Sequence, residues 1–192
     1  MTSQITTLAA APSRSLATRV AVALVGALAV AVAAQFAVPL PGTTVPMTLQ
    51  PMAVLIVGGL LGPSTGALSL ALYLAMGAAG LPVFTPVGLP GLARLFGPTG
   101  GYLLAYPVAA AVTGGLARRL AGRSAVGGAA LAALAGLAVI HAGGLAQLTI
   151  LTGDLAPAFA MGVVPFVLGD LLKVGVAALV VGRFLPTTRA LG

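Results

Sequence analysis

The chain contains 192 residues, of which 59% are hydrophobic and only 6% are charged, and it carries a formal net charge of +7. Because soluble domains carry about 25% charged residues, this composition excludes a soluble globular protein and indicates an integral membrane protein. The sequence holds no cysteine, one histidine and two acids, which excludes disulfides and thiolate sites and leads us to expect neither a metal nor a cofactor.

The apolar segments are long and lack regular polar alternation, which predicts helices. Membrane β-strands would alternate over segments of about ten residues, so a barrel is excluded. The arginines flank the apolar segments and do not form a patch with interleaved aromatic residues, so the positive charge does not indicate nucleic-acid binding. We predict an all-α membrane protein with six transmembrane helices.

The first span is predicted from Val20 to Val38, after a flexible tail at residues 1–18. Its apolar run exceeds the h-region of about 7–15 residues in a signal peptide, so a retained helix is favoured over a cleaved signal. Small residues recur at a spacing of four at Ala23, Ala27 and Ala31. This spacing permits close helix approach, but an alanine-rich chain also produces it by chance, so the spacing alone does not favour a docking face for a partner.

The second span is unusually short, because its apolar run reaches only from Pro51 to Leu61. A membrane helix needs about 20 residues, so this span either includes Thr48 and Gln50 or is broken. Short segments interrupted by proline point to binding sites in transporters. The alternative is that Thr48 and Gln50 lie in the headgroup region without a function.

A third span is predicted at about Thr65 to Ala79, and residues 81–98 follow with four prolines and several glycines. This segment cannot form a regular helix, and its apolar side chains favour burial over disorder. Long irregular loops are usually functional. We therefore predict an extracytoplasmic lid or re-entrant loop, which also carries Arg94.

Gly100, Gly101 and Tyr102 open the fourth span, which is predicted to run to about Leu116. Neighbouring glycines allow close approach of a helix or a ligand, and their spacing matches no nucleotide-binding loop. The fifth span is predicted from about Val126 to Leu151, broken in the middle by His141, Gly143 and Gly144.

The sixth span, from about Phe159 to Val181, contains Asp170 and the only lysine, Lys173. Residues three apart share a helix face. A charge at the bilayer centre costs ~2.5–3.5 kcal/mol, so the pair predicts a buried ligand site. The alternative is a neutralised ion pair that only locks one helix against its neighbours.

Six spans place both termini on one side, and the positive-inside rule then predicts which side. The inner side would hold Arg14, Arg19, Arg118, Arg119, Arg123, Arg183 and Arg189, and the outer side only Arg94. We therefore predict cytoplasmic tails at 1–18 and 187–192 around a membrane domain at 19–186. The polar residues of spans two and six and the Arg94 loop would then meet in the outer half of the membrane.

Four motifs in order resemble the BioY family, the biotin-binding substrate (S) components of energy-coupling factor (ECF) transporters. They are the stretches at 45–50, 80–84, 97–102 and 162–173. The resemblance implies an ECF S-component-like six-helix bundle in the bacterial cytoplasmic (inner) membrane, with biotin as the transported ligand in an outward-facing pocket. It also implies a partner module of one transmembrane coupling protein and two ATPases, docked on small residues of the first helix.

The resemblance also implies how biotin is bound. Asp170 would accept from the ureido N–H groups, and Lys173 or Arg94 would pair with the carboxylate. At His141, where the resemblance implies an aromatic residue, we interpret the side chain as a core histidine. The residues predicted to bind biotin are Asp170, Lys173, Arg94, Gln50, Thr48, Gly100, Tyr102, Phe84 and Phe166.

Other functions remain open at this stage. An S component for thiamine or riboflavin would share the architecture, and a stand-alone carrier could use Asp170 as its proton site. An intramembrane enzyme using His141 and Asp170 is disfavoured, because no Ser/His/Asp or paired-carboxylate set is present. No nucleotide-binding motif occurs, so the chain is predicted not to be an enzyme and not to hydrolyse ATP itself.

Overall fold

The computed structural model of the chain describes residues 15–121 and 124–190, and this part is mostly helical. Its seven α-helices are α1 (Leu16–Ala34), α2 (Gln50–Leu61), α3 (Pro63–Ala78), α4 (Gly100–Leu120), α5 (Ala125–Thr152), α6 (Leu155–Gly162) and α7 (Val167–Ala190). Two short antiparallel strands, β1 (Ala37–Val38) and β2 (Met47–Thr48), join α1 to α2. Two 3-10 helices lie at Gly91–Phe96 and Val164–Phe166.

Four helical segments of this described part are long and apolar enough to cross a membrane, namely α1, α4, α5 and the stretch Leu155–Leu185. The chain is therefore a multi-pass membrane protein. The predicted count of six transmembrane helices is not confirmed. The sixth predicted span consists of α6 and α7, because Pro165 interrupts the helix at the 3-10 turn. Helices α2 and α3 have 12 and 16 residues and are separated only by Gly62, whose φ of 83° forms the turn.

Helix α5 is continuous from Ala125 to Thr152, so the predicted break at its centre is wrong. A membrane helix keeps its backbone hydrogen bonds because lipid offers no replacement. The central glycines serve packing instead. A Cβ at Gly143 would crowd the backbone of Gly101 on α4, and a Cβ at Gly144 would overlap the ring of Tyr102. Glycine at these positions brings α4 and α5 into close contact.

The helical boundaries also differ from the predicted tails. Helix α1 begins at Leu16, where the Ser15 side chain accepts a hydrogen bond from the Thr18 N–H, and α7 continues to Ala190, past the predicted boundary at 186. A cap of this kind satisfies a free amide at the helix start. The rest of the predicted N-terminal tail, with Arg14, lies outside the described residues, as do Arg123 and residues 191–192.

The segment at 81–98 is irregular apart from its 3-10 helix, as predicted, and packs against α3 and α4. Phe84 is buried edge-on against Tyr73 of α3, with ring centroids 5.4 Å apart. Its ring occupies the space that a side chain at Gly77 would need. The expectation of burial fails for four other apolar residues of this segment, which are 45–73% exposed, namely Val87, Leu89, Leu92 and Phe96.

The stripe of small residues on α1 lies inside the bundle. Ala23 and Ala27 are both fully buried and Ala31 is 7% exposed, and α1 packs on α2 and α3. A surface without exposed area cannot contact a partner while α1 keeps this position. The docking prediction for Ala23, Ala27 and Ala31 is therefore corrected to packing within the bundle, where small residues permit close approach to α3.

This correction predicts that Ala27→Trp destabilises the protein itself. Overpacking a filled site costs about 1–3 kcal/mol, whereas the matched variant Ala29→Trp adds the same ring on the exposed face of α1. We expect a lower melting temperature in detergent for Ala27→Trp and a value near the parent's for Ala29→Trp. Equal melting temperatures for both variants would show that the stripe is not packed inside.

Candidate ligand-binding pocket

A pocket lies among the start of α2, the 81–98 loop, the start of α4, the middle of α5 and the start of α7. The lining residues are Val45, Pro46, Thr48, Gln50, Pro51, Phe84, Thr85, Arg94, Thr99, Tyr102, Leu103, Tyr106, Ile140, His141, Phe166, Asp170 and Lys173.

One end of the pocket is a charged cluster around Asp170. Its Oδ1 accepts a hydrogen bond from Lys173 Nζ at 2.8 Å, and its Oδ2 lies 2.8 Å from His141 Nε2. Asp170 is 3% exposed and Lys173 is 7% exposed. Because the 3-10 turn ends just before α7, Asp170 falls in the first turn of this helix, where a carboxylate is favoured by the helix dipole. The predicted shared face of Asp170 and Lys173 is confirmed.

His141 is a site residue that the sequence interpretation missed. Its ring faces the pocket from α5, lies edge-on to Tyr102 with centroids 6.1 Å apart, and bonds Asp170. Its Nδ1 is buried with no hydrogen-bond partner in the described part of the chain. His141 thus belongs to the wall of the pocket, and its interpretation as a histidine without a ligand contact stays a prediction. The available signal was a single histidine in an apolar span, since such groups pair with another buried ionisable residue.

Arg94 lines the pocket from the 81–98 loop and is 4% exposed. Its Nε donates to Leu89 O at 2.6 Å, its Nη1 to Thr85 Oγ1 and Val87 O at 2.6 Å each, and its Nη2 to Thr85 O at 2.8 Å. All four acceptors are neutral groups of the same loop. The guanidinium therefore holds the loop in its folded shape.

Arg94 has no carboxylate partner in the described residues. Asp170 is paired with Lys173 and His141, and Asp154 caps α6 by accepting from the Ala156 N–H. Burial lowers the pKa of Arg94 from its usual value, yet an arginine remains charged in proteins. The pocket is thus lined by the basic side chains of Arg94 and Lys173 and by one carboxylate, and this imbalance favours an anionic ligand.

Thr48 and Gln50 are both buried and line the pocket, which favours a role in the site over an idle position in the headgroup region. The Thr48 hydroxyl donates to Gln50 Oε1 at 3.2 Å, and the Gln50 amide donates to the hydroxyl of Tyr73. Gln50 is the first residue of α2, with Pro51 in the next position, where proline is well tolerated. Through Thr48 and Gln50 this network adds uncharged polar groups to the pocket wall.

Aromatic side chains form much of the apolar wall. Phe84, Tyr102 and Phe166 line the pocket as predicted, and the Tyr102 hydroxyl donates to Gly162 O at 2.6 Å, which ties α4 to the end of α6. Gly100 does not line the pocket. A Cβ there would overlap Leu95 O, so this glycine seats the 81–98 loop on α4, and its predicted binding role is corrected to packing.

A family model described as the BioY family matches residues 2–190 of the chain. The probable biotin transporter BioY of Pyrococcus horikoshii is 38% identical over 144 residues, which cover 75% of this chain and 83% of that protein. The biotin transporter BioY of Thermotoga maritima is 39% identical over 149 residues, covering 76% and 84%. A crystal structure of the S-component for biotin from an ECF-type ABC transporter superimposes with a TM-score of 0.79 at 26% identity, covering 90% of this chain and 94% of that one.

The geometry of the charged cluster predicts an order of stabilities. Asp170→Asn removes the anion and leaves Lys173 buried without a charged partner, at a cost of about 3–5 kcal/mol. Lys173→Met leaves Asp170 bonded to His141, so we expect a smaller loss. Combining both changes removes both charges and restores much of the stability. The measurement is the melting temperature of each ligand-free variant in detergent, and a double variant that melts as low as Asp170→Asn would contradict the pairing.

Proposed function

The chain belongs to the BioY family, and we propose that it takes up biotin across the membrane as the high-affinity biotin-binding substrate component of an ECF-type transporter. The observation that carries the proposal is a pocket lined by apolar side chains, by the hydrogen-bonded cluster around Asp170 and by an arginine that has no carboxylate partner in the described residues. The related proteins are transporters, and this chain too is not an enzyme.

The Asp170 end suits the ureido ring of biotin, which has two N–H donors and one carbonyl. Each Asp170 oxygen accepts one hydrogen bond in the ligand-free protein, and a carboxylate oxygen can accept a second. Asp170 is therefore able to accept from the ring N–H groups, and Lys173 has further N–H groups for the carbonyl. Since an unpaired buried polar group costs about 1–3 kcal/mol, this match favours binding of the ring at this end.

The carboxylate of biotin is assigned to Arg94. Lys173 is engaged by Asp170, whereas the hydrogen bonds of Arg94 all go to neutral oxygens and use four of its N–H groups. A guanidinium has five such groups, so one on Nη2 remains for a ligand. The apolar rings and chain of biotin would lie between the two ends, against Phe84, Tyr102 and Phe166.

Energy for transport would come from partners, namely a transmembrane coupling protein and two ATPases. We place the chain in the bacterial cytoplasmic membrane with both termini in the cytoplasm. The clustering of arginines supports this orientation, because Arg19 lies in the first turn of α1 and Arg118 and Arg119 in the last turn of α4. Arg94, beside the pocket, lies on the loop assigned to the outer side.

Equilibrium binding to the purified protein tests both the ligand and its orientation. We expect biotin to bind while thiamine and riboflavin in hundredfold excess fail to displace it. Biotin amide lacks the anionic carboxylate, so it should bind about ten- to hundredfold more weakly, as expected for an ionic hydrogen bond of about 1.5–3 kcal/mol.

In Arg94→Gln, biotin and biotin amide should bind with similar affinity. The variant lacks the guanidinium charge that favours the biotin carboxylate over the neutral amide. Displacement of biotin by thiamine or riboflavin would contradict the proposed ligand. Equal affinities of the parent for biotin and its amide would contradict the assignment of the carboxylate to Arg94.

Labelling of intact cells tests the orientation, since the chain contains no cysteine. Thr44→Cys lies on the exposed loop beside the pocket, and Ser124→Cys lies at the exposed start of α5. An impermeant thiol reagent should label Thr44→Cys in intact cells and Ser124→Cys only after permeabilisation. The reverse pattern would place the pocket on the cytoplasmic side.

A further inference from the structure

The polar end of the pocket depends on a contact between two helices. Lys173 and Asp170 belong to the same helix, so their bond does not fix the position of α7 relative to α5. It also does not fix the direction of the carboxylate relative to α5. The His141–Asp170 bond is the one that joins α5 to α7 in this cluster. With Oδ1 bonded to Lys173 and Oδ2 to His141, both oxygens of the carboxylate are held in place.

The two ring nitrogens of His141 have different surroundings. Nε2 faces the Asp170 carboxylate, which is an acceptor, so this nitrogen carries a proton and donates to Oδ2. Nδ1 is buried without a hydrogen-bond partner in the described residues. Asp170 is therefore the polar group that His141 holds.

We propose that His141 is a positioning residue that sets the orientation of Asp170 toward the N–H groups of the ligand ring. Because the Nδ1 atom is shielded, His141 acts through the carboxylate and does not itself offer the ligand a free nitrogen. This inference rests on the proposed function. It adds a residue from α5 to the recognition of the ureido ring.

Substitutions that differ in reach separate this role from packing. The side-chain amide of glutamine places an N–H near the position of His Nε2, whereas that of asparagine reaches only the position of Nδ1. His141→Phe keeps a ring of similar size without a donor. We expect biotin affinity to fall about tenfold in His141→Phe and His141→Asn, and to stay within about threefold of the parent in His141→Gln.

A double-mutant cycle with Asp170→Asn provides the second readout. If His141 acts through the carboxylate, His141→Phe should reduce biotin affinity about tenfold in the parent and less than about twofold in Asp170→Asn. A packing role would instead give the same loss in both backgrounds. The melting temperature of each ligand-free variant serves as the folding control.

The outcomes distinguish this inference from the proposed function. A parent protein that does not bind biotin would overturn the proposed function. If the parent binds biotin, two results would overturn the role of His141 alone. One is that His141→Phe binds biotin as tightly as the parent, and the other is that the glutamine and asparagine variants are equally weakened. If His141→Phe does not fold, the comparison of the two amide variants still decides.

Discussion

The hydrogen bonds of the Asp170 carboxylate organise the part of the pocket that α5 and α7 form. A carboxylate and an ammonium in an apolar bundle are tolerated only when each is paired and hydrogen-bonded. Lys173 meets this requirement from the same helix and His141 from α5. The same carboxylate lines a cavity whose other walls include many apolar side chains. Lys173 and His141 therefore stabilise the buried Asp170 carboxylate and also hold it where a ligand in the pocket could bond to it.

The 81–98 loop is irregular and needs side-chain contacts to hold one shape. Arg94 does this by donating to three backbone carbonyls and one hydroxyl within residues 85–89. Phe84 anchors the same loop in the core beside Tyr73, and Gly100 lets it seat on α4. The cation that shapes the loop lacks a carboxylate partner in the described residues, so loop folding and attraction of an anionic ligand depend on one side chain.

Much of the site could be predicted from local sequence patterns, because rare polar residues in apolar spans are informative by themselves. Asp170 and Lys173 are examples, since their spacing defines a shared helix face. The place of His141 in the pocket wall could not be predicted locally. Its partner lies 29 residues later on another helix, and the local pattern does not describe contacts between helices. The same limit applies to Ala27 and Gly100. Their size predicts close approach of another element, but not that this element belongs to the protein's own bundle.

The most direct test of this account is an experimental structure of the protein with biotin bound. We expect the ureido ring within about 3.2 Å of the Asp170 carboxylate, which is the limit of a good hydrogen bond, and the biotin carboxylate at the Arg94 guanidinium. The rings should lie between them against Tyr102 and Phe166. Biotin bound in the reverse direction, with its carboxylate at Lys173, or bound outside this pocket would contradict the account.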